Sequence, residues 1–91
     1  MSDFIHVGFG NIVNKSKVIA IVGPEGAPVR RMVSNSRDAG TAIDATRGRK
    51  TRSVLIMEGD RLVLSALSPD ALLKRAGIEI EGSDLQDSGE A

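Results

Sequence analysis

Between Phe4 and Phe9 the chain alternates, with Ile5 and Val7 set among polar or small neighbours, and Val18 to Val22 is a run rich in β-branched residues. Both patterns are strand signatures, so strands are predicted over Phe4 to Phe9 and Lys17 to Val22. The link between them carries Gly8, Gly10, Asn11 and Asn14, which predicts a bend or bulge where residues take positive φ. Gly23, Pro24, Gly26 and Pro28 then break the strand pattern. They set up a helix that starts near Pro28, since Pro is favoured at the first helical position, and stops at Gly40. Helical spacing puts Val29, Met32, Val33 and Ala39 on its buried side and Arg30, Ser34 and Arg37 on an outward face.

After Gly40, Ala42 to Ala45 reads as a short strand and Val54 to Met57 as a longer apolar one. Gly59 and Asp60 predict a tight hairpin onto Leu62 to Ala66, because Gly accepts the positive φ of such turns. Ser68 and Pro69 begin a second helix, Asp70 favours the positive end of its dipole, and Leu72, Leu73 and Ala76 share one face before Gly77. The order β, β, α, β, β, β, α describes an α+β domain, with a small, mostly antiparallel sheet and two helices. Its exposed sheet edges need covering or pairing with another subunit.

Composition narrows the picture. Ninety-one residues fit one domain, with no Cys, Trp or Tyr, so Phe4 and Phe9 alone offer large aromatic burial. So small a core predicts that stability leans on partner subunits. The longest apolar run, Val18 to Val22, is too short for a signal segment or a membrane span, and a cytoplasmic location without membrane contact is expected.

The formal net charge of zero hides an asymmetry. Residues 1–77 carry all twelve Lys and Arg against seven acids, whereas five acids crowd the last fourteen residues. A folded domain over residues 1–77 and an acidic, disordered tail over 78–91 are expected, the tail either aiding solubility or competing with a polyanionic ligand.

Chemistry concentrates in the segment Asp44 to Arg52, where Arg47, Arg49, Lys50 and Arg52 place four cations within six residues around Gly48. Cations at this density neutralise phosphates and release counterions, and the Thr46 and Thr51 hydroxyls are further donors. By composition alone, nucleic acid and a plain solvated loop account for the segment about equally well. A small anion or a protein partner is the remaining alternative. Lys15 and Lys17 join the patch if the turn before the second strand lies beside the loop. The helix arginines Arg30, Arg31 and Arg37 read as solvated side chains whose stems cover apolar surface.

Other chemistry has little material. Gly8, Phe9, Gly10 and Asn11 lack the spacing and lysine of a phosphate loop and read as a structural turn, while the Pro24 loop reads as a helix entry. His6 has no acid adjacent to it in sequence, and without Cys a nucleophilic triad or a zinc site has little material. Asp44 fits a role in capping the loop or orienting an arginine better than that of a general base. Neither catalysis, nor a cofactor, nor a small-molecule substrate is expected.

From Phe4 to Leu73 the chain resembles the RemA family of bacterial regulators of biofilm extracellular-matrix and osmoprotection genes. The resemblance runs through HVGFGNIVN, VIAIVGPEGAPVRRMV, AGTAIDATRGRKTRSVLIM and RLVLSALSPDALLKR. It implies a LytTR-like DNA-binding domain assembling into a heptameric or octameric homo-oligomeric ring whose basic rim contacts duplex DNA. By position, the family's DNA-contacting residues fall on Lys17, Arg49 and Lys50, flanked by Arg47 and Arg52. Positions 17 and 50 hold Lys where better-known members have Arg. Lys keeps the charge but has no bidentate fork, which favours phosphate attraction over base-edge reading. An RNA-binding protein and an oligomeric interaction module with an acidic partner are the rival readings. The scarcity of aromatics weighs against the first, since single-stranded RNA is commonly held by stacking.

Overall fold

In the computed structural model, which describes residues 3–77, the early alternating segment folds back on itself. Strand β1 (Phe4–Gly8) pairs antiparallel with β2 (Asn11–Asn14). The link expected to bend is therefore a hairpin, closed by Phe9 and Gly10 with φ of 54° and 79°. Two consecutive positive φ values match the right-handed twist of the paired strands. The Asn11 side chain braces the turn by donating to the Gly8 carbonyl at 3.0 Å.

A short 3-10 turn (Lys15–Lys17) leads into β3 (Val18–Val22), and Gly26 opens α1 (Ala27–Ala39), with Pro at the start and Gly40 in the left-handed region at its end. Strands β4 (Ala42–Asp44), β5 (Ser53–Met57) and β6 (Arg61–Ser65) follow, and Ser68 caps α2 (Pro69–Arg75) by accepting from the Ala71 amide at 3.2 Å. The second sheet has the order β3-β5-β6-β4. Its β3–β5 and β5–β6 pairs are antiparallel, whereas β4 runs parallel to β6, so the sheet is mixed at one edge.

This sheet is covered on both faces. Leu55 and Val63 point toward β1 and α2, packing with Ile5, Val7, Leu72 and Ala76. Val54, Leu62 and Leu64 point the other way, onto Val22, Val29 and Val33 beside α1. Central strands buried on both faces read as continuous apolar runs, as Val54 to Met57 and Leu62 to Leu64 do. The core is aliphatic. Phe4 and Phe9, expected to supply aromatic burial, are both exposed, because Phe4 starts a strand and Phe9 forms a turn tip. Helix α1 buries Val29 and Val33 partly, and Ser36 fully, while Met32 and Ala39 stay exposed. Ser36 is admitted because its hydroxyl bonds the Thr41 hydroxyl at 2.7 Å.

Candidate functional site

The basic loop leaves the parallel strand β4 and re-enters the sheet at β5. Its entry is fixed by Asp44, whose Oδ1 accepts from the Thr46 hydroxyl at 2.6 Å and from the Thr46 amide at 2.9 Å. This is an Asx turn, in which a short side chain substitutes for backbone pairing. The Thr46 hydroxyl holds the Asp44 carboxyl below the ordinary carboxylate range, helped by the Thr46 amide and the charge of Arg37 and opposed by slight desolvation. Thr46 itself is only 2% exposed, so its hydroxyl serves Asp44 and is not the free phosphate donor its sequence position suggested.

Thr46 to Arg49 make a tight reversal. The Arg49 amide donates to the Thr46 carbonyl at 3.0 Å, and Arg47 and Gly48 take φ of 54° and 82°. Positive φ at both central positions is costly for a side-chain-bearing residue, which explains the glycine and leaves Arg47 as the strained member. The far end is tied to the sheet by the Arg52 amide, which donates to the Ser65 carbonyl at 2.8 Å.

Arg47, Arg49, Lys50 and Arg52 are thereby brought together, all exposed, while Thr51 is half-buried. Among the described residues, none of the four lies within ion-pair distance of a carboxylate. The one such pair there joins Lys17 to Glu58, at 3.5 Å.

Lys17 is placed elsewhere. Antiparallel pairing puts Val18 beside Met57 and Val22 beside Val54, so Lys17 sits at the opposite end of β5 from Arg52. The Glu58 amide donates to the Lys17 carbonyl, so at the usual rise per strand residue the six positions from Arg52 to Glu58 separate them by roughly 20 Å. Lys15 is further committed, because its Nζ donates to the Ala76 carbonyl at 2.7 Å and so caps the C-terminal end of α2. The turn bearing these lysines does not lie beside the loop.

Two features of the site lie outside the basic segment. The exposed ring of Phe9 at the β1–β2 tip lies under both the Arg47 and the Arg49 guanidinium, each 5.7 Å from its centroid. Such contacts at exposed sites are worth about 0.5–1 kcal/mol each. Arg30 and Arg37, which read from the sequence as solvated helix residues, line a shallow cavity together with Thr51 of the basic loop. Their seven-residue spacing on one helix face is the signal that points to it; nothing local marks Phe9.

No cluster of three or more His, Cys, Asp or Glu suited to a metal ion occurs among the described residues. Nor, among those residues, is any helix long and apolar enough to cross a membrane.

The model of the RemA-like family, described as extracellular matrix regulatory protein A-like, matches residues 4–76. Extracellular matrix regulatory protein A of Bacillus subtilis is 45% identical over 80 residues, covering 88% of this chain and 90% of that protein. Proteins named as regulatory from Carboxydothermus hydrogenoformans and Lachnoclostridium phytofermentans are 51% and 49% identical over 72 and 75 residues. These matches span 79% and 82% of this chain, and 83% and 82% of the respective relatives. With the matched region running from the first strand through the second helix, this chain belongs to the RemA-like family of regulatory proteins.

Proposed function

We propose that this protein is a transcription regulator, an activator of extracellular-matrix and osmoprotection genes, that grips duplex DNA chiefly by its backbone. In this reading a LytTR-like domain is repeated around a heptameric or octameric homo-oligomeric ring, and the basic loops lie on its rim. The observation that carries the reading is the braced loop holding Arg47, Arg49, Lys50 and Arg52, all exposed and none ion-paired with a described residue. Cations held this way neutralise phosphates and release counterions, while a fixed loop spares part of the ordering cost of binding. The name of the Bacillus subtilis relative supplies the extracellular-matrix connection.

Assembly is supported by the exposed apolar residues Ile19 on β3 and Ile43 on β4, the outer strands of the larger sheet. Unpaired sheet edges flanked by apolar side chains favour association. Repetition then turns several weak grips into one strong one without new contacts. Lys17 adds a separate contact, some distance from the loop. Lysines at positions 17 and 50 favour attraction to phosphate over base reading, so specificity falls to duplex shape and bendability.

One observation favours the rival RNA reading: an exposed Phe9 beside the arginines offers a ring for stacking. Footprinting on genomic fragments across a salt series, with duplex DNA and single-stranded RNA as competitors, separates the two. Protected tracts displaced by duplex support the proposal; displacement by RNA at lower concentration transfers the site to RNA.

A further inference from the structure

The hairpin tip of β1 and β2 has no role in the core, yet it is anchored with care. A side chain at Gly8 would meet Leu67, the Asn11 side chain donates to the Gly8 carbonyl, and the adjacent Val7 carbonyl accepts from the buried Ser65 hydroxyl. Phe9 is held at a φ of 54°, a left-handed conformation that an aromatic residue seldom adopts, and the residue is 44% exposed. Strain of this kind persists only where the surroundings impose it, and it concentrates at functional sites. What the exposed ring meets is the basic loop, with the Cζ atoms of Arg47 and Arg49 each 5.7 Å from its centroid.

Resting on the DNA-binding reading, we infer that Phe9 is a positioning residue, which gathers the Arg47 and Arg49 guanidiniums into one phosphate-binding pair. Two like charges on a short exposed loop repel and, left alone, spread into solvent. A ring face carrying partial negative charge attracts each of them. With both Cζ atoms at the same distance from one centroid, they stand at most about 11 Å apart, within the roughly 12 Å width of a major groove. Such a pair engages phosphates of one strand, or phosphates facing each other across one groove. The aromatic ring acts through the arginines and makes no contact of its own with DNA.

The test compares Phe9→Leu, which keeps the bulk and removes the aromatic face, with Phe9→Tyr, which keeps the face. Each substitution is made in the full chain and again in an Arg47→Gln/Arg49→Gln background, with duplex binding measured at low salt. Phe9→Tyr should bind within about twofold of the parent, whereas Phe9→Leu should bind roughly three- to tenfold more weakly while remaining folded at the assay temperature. In the double-Gln background Phe9→Leu should have no further effect. Without DNA, the Arg47 and Arg49 Nε–H resonances should show upfield ring-current shifts in the parent and in Phe9→Tyr, and none in Phe9→Leu.

Arginine resonances that ignore Phe9→Leu overturn the inference. An equal weakening of binding in the double-Gln background overturns it too, because the ring would then touch DNA itself. If Phe9→Leu binds like the parent while Arg49→Ala binds weakly, the positioning role falls and the DNA reading stands. If Arg49→Ala also binds like the parent, both fall.

Discussion

The Ser65 hydroxyl donates to the Val7 carbonyl at 2.8 Å, joining residues 58 apart in sequence. The same hydroxyl accepts from the Leu67 amide at 3.0 Å, and the Ser65 carbonyl accepts from the Arg52 amide at 2.8 Å. One buried residue at the end of β6 thus ties down both the hairpin that carries Phe9 and the far end of the basic loop. Ser65→Ala leaves the Val7 carbonyl and the Leu67 amide without their partner, at a cost of about 1–3 kcal/mol. For a domain of this size each kcal/mol lowers Tm by about 4–8 °C. A thermal melt of Ser65→Ala that coincides with the parent's contradicts this role for the hydroxyl.

Asp44 gives the loop a pH dependence whose direction follows from its carboxyl being held below the ordinary range, first by the Thr46 hydroxyl. A group whose pKa is depressed on folding stabilises the folded state fully above its unfolded value, about 3.9 for Asp. That stabilisation is lost as pH falls through the lower, folded value. Asp44→Ala should therefore cost about 1 kcal/mol at neutral pH, a modest figure because the carboxylate is exposed. The difference in Tm between parent and variant should shrink only below about pH 4. Melts from pH 7 downward check this; a difference that closes between pH 7 and 5 points to another group.

Lys17 and Glu58 form an exposed ion pair at 3.5 Å, with Lys17 57% accessible. Such pairs contribute about 0–1 kcal/mol, so Glu58→Gln should leave stability within roughly that range. If Lys17 touches duplex DNA, removing its carboxylate neighbour tightens binding and steepens the salt dependence. Binding by Glu58→Gln that equals the parent's at every salt concentration places Lys17 outside the contact.

Association should be coupled to folding, because the described core is small and aliphatic while Ile19 and Ile43 remain exposed. The melting midpoint is accordingly expected to rise with protein concentration. Light scattering that finds a folded monomer at micromolar concentration, melting at a midpoint independent of dilution, contradicts the assembly.

Much of this architecture is legible in the sequence because its signals are local. Period-two alternation marks β1, Pro28 and Gly40 bound α1, and Ser68 with Pro69 begins α2. Strand β2 escapes because Ile12 and Val13 stand between asparagines in only four residues, which read as turn punctuation. The parallel pairing of β4 with β6 escapes because alternation reports which face a residue takes, not which strand lies beside it. At the candidate site, the charge density of Arg47, Arg49, Lys50 and Arg52 is visible as a count, and their shared loop follows from adjacency. Phe9 is invisible for the opposite reason. Its contact with Arg47 and Arg49 depends on a hairpin docking beside a loop nearly forty residues later, and on the Ser65 tie that sets both. The distance of Lys17 from the loop is hidden for the same kind of reason, since the antiparallel pairing of β3 with β5 decides which end of the strand it occupies.

In the proposed function the braced basic loop holds duplex DNA by its phosphates. The most direct measurement is the duplex-binding constant against salt concentration, for the parent and for Arg49→Ala. The parent should show a steep linear fall of log K with log salt. Arg49→Ala should show a weaker K, with a slope shallower by about 0.9 for each phosphate that Arg49 neutralises in each engaged subunit. Equal slopes for the two proteins, or no duplex binding even at low salt, would contradict it.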